Sequence, residues 1–261
     1  MANPGRNTYQ KPSSNRPTPY RSGGNARIHL VPDGLDNEPD HRVVTASKVT
    51  EFLPRTAGQA SFAASIRANS LTFGTGVYGV GKTAVACGVA AELIAKKLIT
   101  DVVAIRPMVE SGPKMGFLPG EIDDKIDPWF SVIRGELCKF IGTSEVERRI
   151  KRGRIRFEPI AFMRGKTYDH TLIILDEAQN TTPTEMELCL SRAGEGTKYV
   201  VTGDDRRQVD LKPGSITGLT DAMSRFRGVA GVGYVEFSVD DIVRSGFCRS
   251  VAVAYSSHRP R

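Results

Sequence analysis

The segment GVYGVGKT, Gly76 to Thr83, restricts this chain more than any other stretch of it. It fits the pattern G-x-x-x-x-G-K-[ST], in which glycines let successive backbone N–H groups wrap around phosphate oxygens at the start of a helix. Such a loop works only between a strand and a helix. Residues 69 to 75 (NSLTFGT) read as a short strand and residues 84 to 98 (AVACGVAAELIAKKL) as an alanine-rich helix, so the required order is present. In that setting Lys82 would reach the β- and γ-phosphates of a nucleotide and Thr83 would bind Mg²⁺, while Gly76, Gly79, Val80, Gly81 and Ala84 complete the wall around the phosphates.

The rest of the chain alternates in the same way. Strands are expected at 101–106 (DVVAIR), 155–161 (IRFEPIA), 171–176 (TLIILD), 198–203 (KYVVTG) and 233–237 (GYVEF). Two helix starts carry the S/T-x-x-E form of a capping box, Ser144 to Glu147 and Thr182 to Glu185, the second with Pro183 at the first helical position. Near-continuous apolar strands separated by helices predict an α/β fold, a mainly parallel sheet with helices on both faces. Ligands of such sheets bind at the carboxyl ends of the strands. Asp176 and Glu177 follow the apolar run TLIIL at such an end. The first is placed to hold Mg²⁺ through its water shell and the second to orient or deprotonate an attacking water, which separates a hydrolase from a phosphate-transferring kinase. After KYVVTG comes DDRRQVDL, where Asp204, Asp205 and Gln208 would face the γ-phosphate; the other reading is an ordinary polar loop.

Composition narrows the partners. The formal charge is +7, but five of the 36 basic residues (Arg6, Lys11, Arg16, Arg21, Arg27) lie in a Pro-, Ser-, Asn- and Gly-rich start without acids, and Arg259 and Arg261 close the chain. The remaining 29 cations balance the 29 acids, so basic surface on the folded part has to come from local clustering. We expect a disordered basic tail over 1–40, one domain over 41–257 and a short basic tail over 258–261. The tails either contact a polyanion or keep the protein soluble. One dense cluster exists, ERRIKRGRIRF, with Arg148, Arg149, Lys151, Arg152, Arg154 and Arg156; it would neutralise several backbone phosphates, with Phe157 or Phe162 for base stacking, or serve as a solvated helix end and edge strand. Cys87, Cys138, Cys189 and Cys248 have neither zinc nor disulfide spacing, and Cys87 and Cys189 should pack as small apolar groups. No apolar run is long enough to span a bilayer, so no membrane association and a cytoplasmic location are expected.

GVYGVGKT, RPMVESGPKMGFLPGEIDDKIDPWF (Arg106 to Phe130), AFMRGKT (Ala161 to Thr167), IILDEAQNTTP (Ile173 to Pro183), VVTGD (Val200 to Asp204) and VEFSVDDIVRS (Val235 to Ser245) together resemble the PhoH family of ATPases. The core of that family is similar to the first motor domain of superfamily 1 helicases. The resemblance runs from Gly76 to about Tyr255 and implies a RecA-like P-loop domain, ATP and Mg²⁺ as ligands, and a link to phosphate starvation, phages and RNA. Upstream, PRTAGQ looks like the family segment whose Gln precedes the phosphate loop, which makes Gln59 the candidate adenine reader; its plain alternative is a helix-surface glutamine. One departure stands out. Family members run GD, two residues, then Gln, whereas Asp204 and Gln208 are separated by one residue more, so either Asp204 or Asp205 takes the usual acidic position.

Some relatives carry a fused nuclease domain, for which this chain is too short, and no intrinsic nuclease activity is expected. The helicase likeness places Arg106, Arg164 and Lys166 near a single strand of RNA or DNA. It also implies that a missing second motor domain is replaced by a neighbouring subunit, giving a homo-hexameric ring with Arg244 as the finger in trans, Arg225 or Arg249 as alternatives, and a surface salt bridge as the plain reading. Three functions follow in order: an ATPase coupled to single-stranded nucleic acid, an ATP-dependent switch or protein-remodelling ring, and a small-molecule kinase, for which Glu177 has no purpose.

Overall fold

The computed structural model describes residues 49–107, 122–204, 211 and 214–257. The expected tails at 1–40 and 258–261, together with Asp205 and Gln208, lie outside them.

The chain order is α1 (Ala57–Ala68), β1 (Leu71–Gly76), α2 (Lys82–Ala95), β2 (Asp101–Arg106), α3 (Ile122–Ile141), α4 (Thr143–Lys151), β3 (Ile155–Pro159), β4 (Thr171–Leu175), α5 (Pro183–Leu190), β5 (Lys198–Gly203), α6 (Gly218–Arg225), β6 (Val232–Phe237) and α7 (Gly246–Ser257). Six strands form one sheet in the order β3-β2-β4-β5-β1-β6, and every pairing is parallel. Parallel neighbours need crossovers, and the helices supply them.

The strands are apolar on both sides because both faces are covered. Alternate residues of β4 divide between two cores: Leu172 and Ile174 join Phe62, Ile66, Val89, Ile133 and Leu137 from α1, α2 and α3, while Ile173 and Leu175 join Met186, Cys189, Leu219 and Ala222 from α5 and α6. Cys87 and Cys189 are both fully buried, as small apolar groups should be. The RecA-like α/β arrangement read from the sequence is therefore the observed one.

Some element boundaries differ. The strand expected over 155–161 stops at Pro159, and Ile160–Met163 form a short 3-10 helix; proline cannot donate to a ladder, and the chain turns after it. The capping box at Ser144 does not form. Gly142, at φ 82°, breaks α3 from α4, so the helix starts at Thr143 with Ser144 inside its first turn, and Glu147 bonds Arg134 Nη2 at 2.6 Å instead. The box at Thr182 is present: its hydroxyl accepts from the Glu185 N–H, the Glu185 carboxylate accepts from the Thr182 N–H, and Pro183 follows.

Candidate nucleotide site

Because all six strands are parallel, their carboxyl ends lie on one side of the sheet. The loop after β1 opens on that side, between the ends of β5 and the edge strand β6. Gly76, Gly79 and Gly81 have φ of 126°, 82° and 84°, backbone that a side chain would strain. A Cβ at Gly76 would also lie 2.3 Å from the Phe237 carbonyl of β6. Gly81 caps α2, whose first residues are Lys82 and Thr83, two residues earlier than the sequence suggested. Lys82 Nζ donates to the carbonyls of Gly76 (2.6 Å) and Val77 (3.0 Å), so its cation lies over the loop. Val80 is fully buried and offers the loop its backbone only.

Asp176 and Glu177 follow β4. Asp176 is 6% exposed; its Oδ1 accepts from Thr202 Oγ1 on β5 at 2.6 Å, and Thr83 Oγ1 stands 3.4 Å from both carboxylate oxygens. Burial raises the Asp176 pKa, the neighbouring Glu177 charge adds to the rise, and the Thr202 hydroxyl and Arg106 oppose it. A hydroxyl and a desolvated carboxylate facing each other are the donor set through which Mg²⁺ is held beside nucleotide phosphates, so these residues fit that ion.

Asp176 and Glu177, just past the end of β4, both line the cleft. Glu177 adopts the left-handed region (φ 55°, ψ 39°) at a cost of about 1–2 kcal/mol. Both of its oxygens are engaged. Oε1 lies 3.1 Å from Arg106 Nη2 at the end of β2, and Oε2 accepts from Gln179 Nε2 at 2.7 Å. Gln179 is fully buried, and its Oε1 accepts from the Asp204 N–H at 3.1 Å, joining the β4 and β5 loops.

The cleft has a volume of about 540 Å³, within the roughly 300–1,000 Å³ of small-molecule sites. Lys82, Thr83, Ala84, Asp176, Glu177, Asp204 and Arg244 all line it. Gln59 lines it too, against the phosphate loop, and is 3% exposed, which excludes a helix-surface role. Its Nε2 donates to the Val80 carbonyl at 2.8 Å and its Oε1 accepts from the Arg55 N–H at 2.8 Å, so α1 grips the phosphate loop through this amide.

Sequence reasoning missed Gln179 and Thr202. Gln179 stood inside the quoted string LDEAQNTTP without a role, and Thr202 is the polar residue following the apolar core of β5 at its carboxyl end, the signal that could have found it. The contact between Arg106 and Glu177 was also unforeseen.

The basic cluster is not at the cleft. Arg148 and Arg149 on α4, together with Arg154, precede β3 in the chain, and Arg156 lies near its start, so they occupy the amino end of the sheet's edge strand. A five-residue strand, roughly 16 Å at 3.3 Å per residue, separates that end from the carboxyl side. Arg148 and Arg149 each pair with Glu145 at 2.7 Å; Arg154 and Arg156 each pair with Asp101 at 3.0 Å. Phe157 packs against the core at 5.4 Å from the Phe130 ring, which removes it as a stacking platform. At the carboxyl end of β3, Lys166 pairs with Glu158 at 2.9 Å, whereas Phe162 and Arg164 are exposed. Among the described residues no helix is long and apolar enough to cross a membrane.

A family profile described as "PhoH-like protein" matches residues 51–256. The chain is 38% identical over 216 residues to a PhoH-like protein of Bacillus subtilis, covering 83% of this chain and 67% of that one. It is 35% identical over 236 residues to Protein PhoH of Escherichia coli, covering 90% and 63%. With a PhoH-like protein of Mycobacterium tuberculosis it shares 34% identity over 229 residues, covering 86% and 65%. It thus spans about two thirds of the length of these curated relatives. Among solved structures it is similar to the Pif1 helicase from Candida albicans, at 12% identity, 71% and 40% coverage and a TM-score of 0.38. The phosphate loop, the paired acids after β4 and these relatives agree: the chain belongs to the PhoH-like protein family.

Proposed function

We propose that this chain is a Mg²⁺-dependent ATP hydrolase that couples turnover to binding or remodelling of single-stranded RNA or DNA. The observation that carries the reading is the convergence of Lys82, Thr83, Asp176 and Glu177 around one cleft. In the reaction, Lys82 exchanges the Gly76 and Val77 carbonyls for β- and γ-phosphate oxygens, and the N–H groups from Gly79 to Ala84 surround the phosphates. Thr83 and Asp176 hold Mg²⁺, which when bound neutralises charge on the β- and γ-oxygens. Glu177 takes the proton of the attacking water, with Gln179 fixing its far oxygen. Gln208 senses the γ-phosphate. Each end of the Gln59 amide keeps a further hydrogen-bonding position, which supports adenine reading.

Coupling to a polyanion is supported by Arg106. A guanidinium that binds both the general base and a backbone phosphate gives the polymer a direct hold on the hydrolytic group. Arg164 and Lys166 extend the same side of the sheet. A homo-hexameric ring, by analogy with other single-domain motors, is the proposed assembly, and the cytoplasm the proposed location.

One observation favours the second reading, an ATP-dependent switch or protein-remodelling ring: most of the basic cluster is already answered by Glu145 and Asp101. Steady-state ATP hydrolysis with and without single-stranded RNA or DNA, controlled by Glu177→Gln, separates the two. Stimulation absent from the variant supports nucleic-acid coupling; genuine turnover indifferent to both polymers transfers the assignment to the switch.

A further inference from the structure

The three arginines considered for a finger have different surroundings. Arg225 Nε is 2.7 Å from Asp221 Oδ2 on its own helix, and Arg249 is paired with Asp240. Arg244 forms no ion pair with a described residue, and it lines the same cleft as Lys82, Thr83, Asp176 and Glu177. Its neighbour Val243 fixes this placement: the Val243 N–H donates to the Gly79 carbonyl at 3.0 Å, tying the start of the arginine's segment to the middle of the phosphate loop. The side chain then crosses the loop at Gly79. A Cβ at position 79 would meet Arg244 Cδ and Cys248 Sγ at 3.3 Å and Arg244 Cγ at 3.5 Å, so the arginine stem packs against the bare backbone of Gly79. The guanidinium begins one bond beyond Cδ, on the cleft side of a loop built to hold phosphates.

We infer that Arg244 binds the γ-phosphate of the nucleotide held by its own chain, acting in cis and not across a subunit interface. The inference rests on the reading of this cleft as an ATP-hydrolysing site. A guanidinium stays charged at every working pH and its planar fork takes two phosphate oxygens at once, which Lys82 as a point charge cannot do. One chain then carries both cations that an in-line phosphoryl transfer calls for, and any ring serves the polymer or partner and not the chemistry.

The experiment compares Arg244→Ala, Arg244→Lys and Lys82→Ala, alone and mixed. In cis, Arg244→Ala lowers kcat by roughly 10²–10³-fold, the order seen on removal of one donor to transition-state charge. Arg244→Lys keeps an intermediate rate. An equimolar mixture of Arg244→Ala and Lys82→Ala remains as inactive as its components, because no site holds both cations. Recovery of turnover in the mixture means that the arginine crosses an interface and overturns the inference. The variants are also titrated with ADP and a non-hydrolysable ATP analogue: Arg244→Ala keeps its ADP affinity within a few-fold and loses at least about tenfold for the analogue, with an unchanged melting temperature. Equal affinity for both, or full turnover by Arg244→Ala, overturns the inference while leaving the ATPase reading intact. A wild-type chain that neither binds nor hydrolyses ATP sinks both.

Discussion

The cleft at the carboxyl ends of β1, β4 and β5 and the edge formed by α4 and the start of β3 are both rich in charge, and they behave in opposite ways. In the cleft, groups from distant parts of the chain are aimed at a shared space: Lys82 from α2, Asp176 and Glu177 after β4, Arg106 from β2, Arg244 before α7. At the edge, Arg148, Arg149, Arg154 and Arg156 of a nine-residue run are met by Glu145, Asp101 and Glu158. A motif that specifies backbone conformation therefore foretells geometry, whereas a count of like charges foretells only composition. The acids that answer the edge cations are scattered through the sequence and join them only on folding.

The largest effect that tests this contrast is Lys82→Ala, expected to weaken ATP binding by more than about 100-fold in a calorimetric titration and to abolish turnover with it. Wild-type affinity in that variant would break the cleft half of the comparison. Next is Glu177→Gln, for which kcat falls by roughly 10²–10⁴-fold while ATP affinity stays within a few-fold. Normal turnover there would reassign the base.

Asp176→Asn sharpens the contrast in another way, since function and stability should move in opposite directions. Burial raises the folded-state pKa of this carboxyl above its unfolded value. Its contribution to stability is then fully present below the unfolded pKa and is lost as pH rises through the folded value. The variant loses Mg²⁺-dependent turnover yet gains about 1 kcal/mol near neutral pH. Melting curves for both proteins should diverge on going from acid to neutral pH, and parallel curves would contradict the assigned cause. The smallest effects belong to the edge. Arg154→Ala should leave turnover unchanged and cost only about 0.5 kcal/mol, as exposed pairs do. Asp101→Asn releases Arg154 and leaves Arg156 only its pair with Glu158, and should strengthen binding of a labelled oligonucleotide several-fold, with a steeper salt dependence. Tight polymer binding that disappears with Arg154→Ala would mean that the edge is an open interface after all.

The strands were legible because each is a short apolar run bounded by turn residues, and β2 and β5 have the extents their sequences indicate. The phosphate loop and the acids after β4 were legible because their chemistry requires a fixed order of residue types. Side-chain partnerships were not. Nothing in the string ERRIKRGRIRF reveals Asp101, and nothing in LDEAQ states that Gln179 would reach Asp204, since both depend on which strands lie side by side. Ser144 misled for a local reason, the unrestricted backbone of Gly142. Arg244 was picked from its segment, but its seat beside Gly79 of the same chain needed the sheet order, which lays β6 against β1.

That sheet order also governs when the protein comes into being during synthesis. β1 carries the phosphate loop, yet it pairs with β5 and β6, with Leu71 opposite Tyr199 on one side and Val232 on the other. An early-made strand must wait, unpaired on both edges, for two of the last strands to leave the ribosome, and such distant parallel pairing is slow. The cleft is consequently among the last features the growing chain acquires. On the proposed function, ATP present at that moment would stabilise only the finished sheet, so the substrate would double as a ligand that holds newly completed molecules in the folded state.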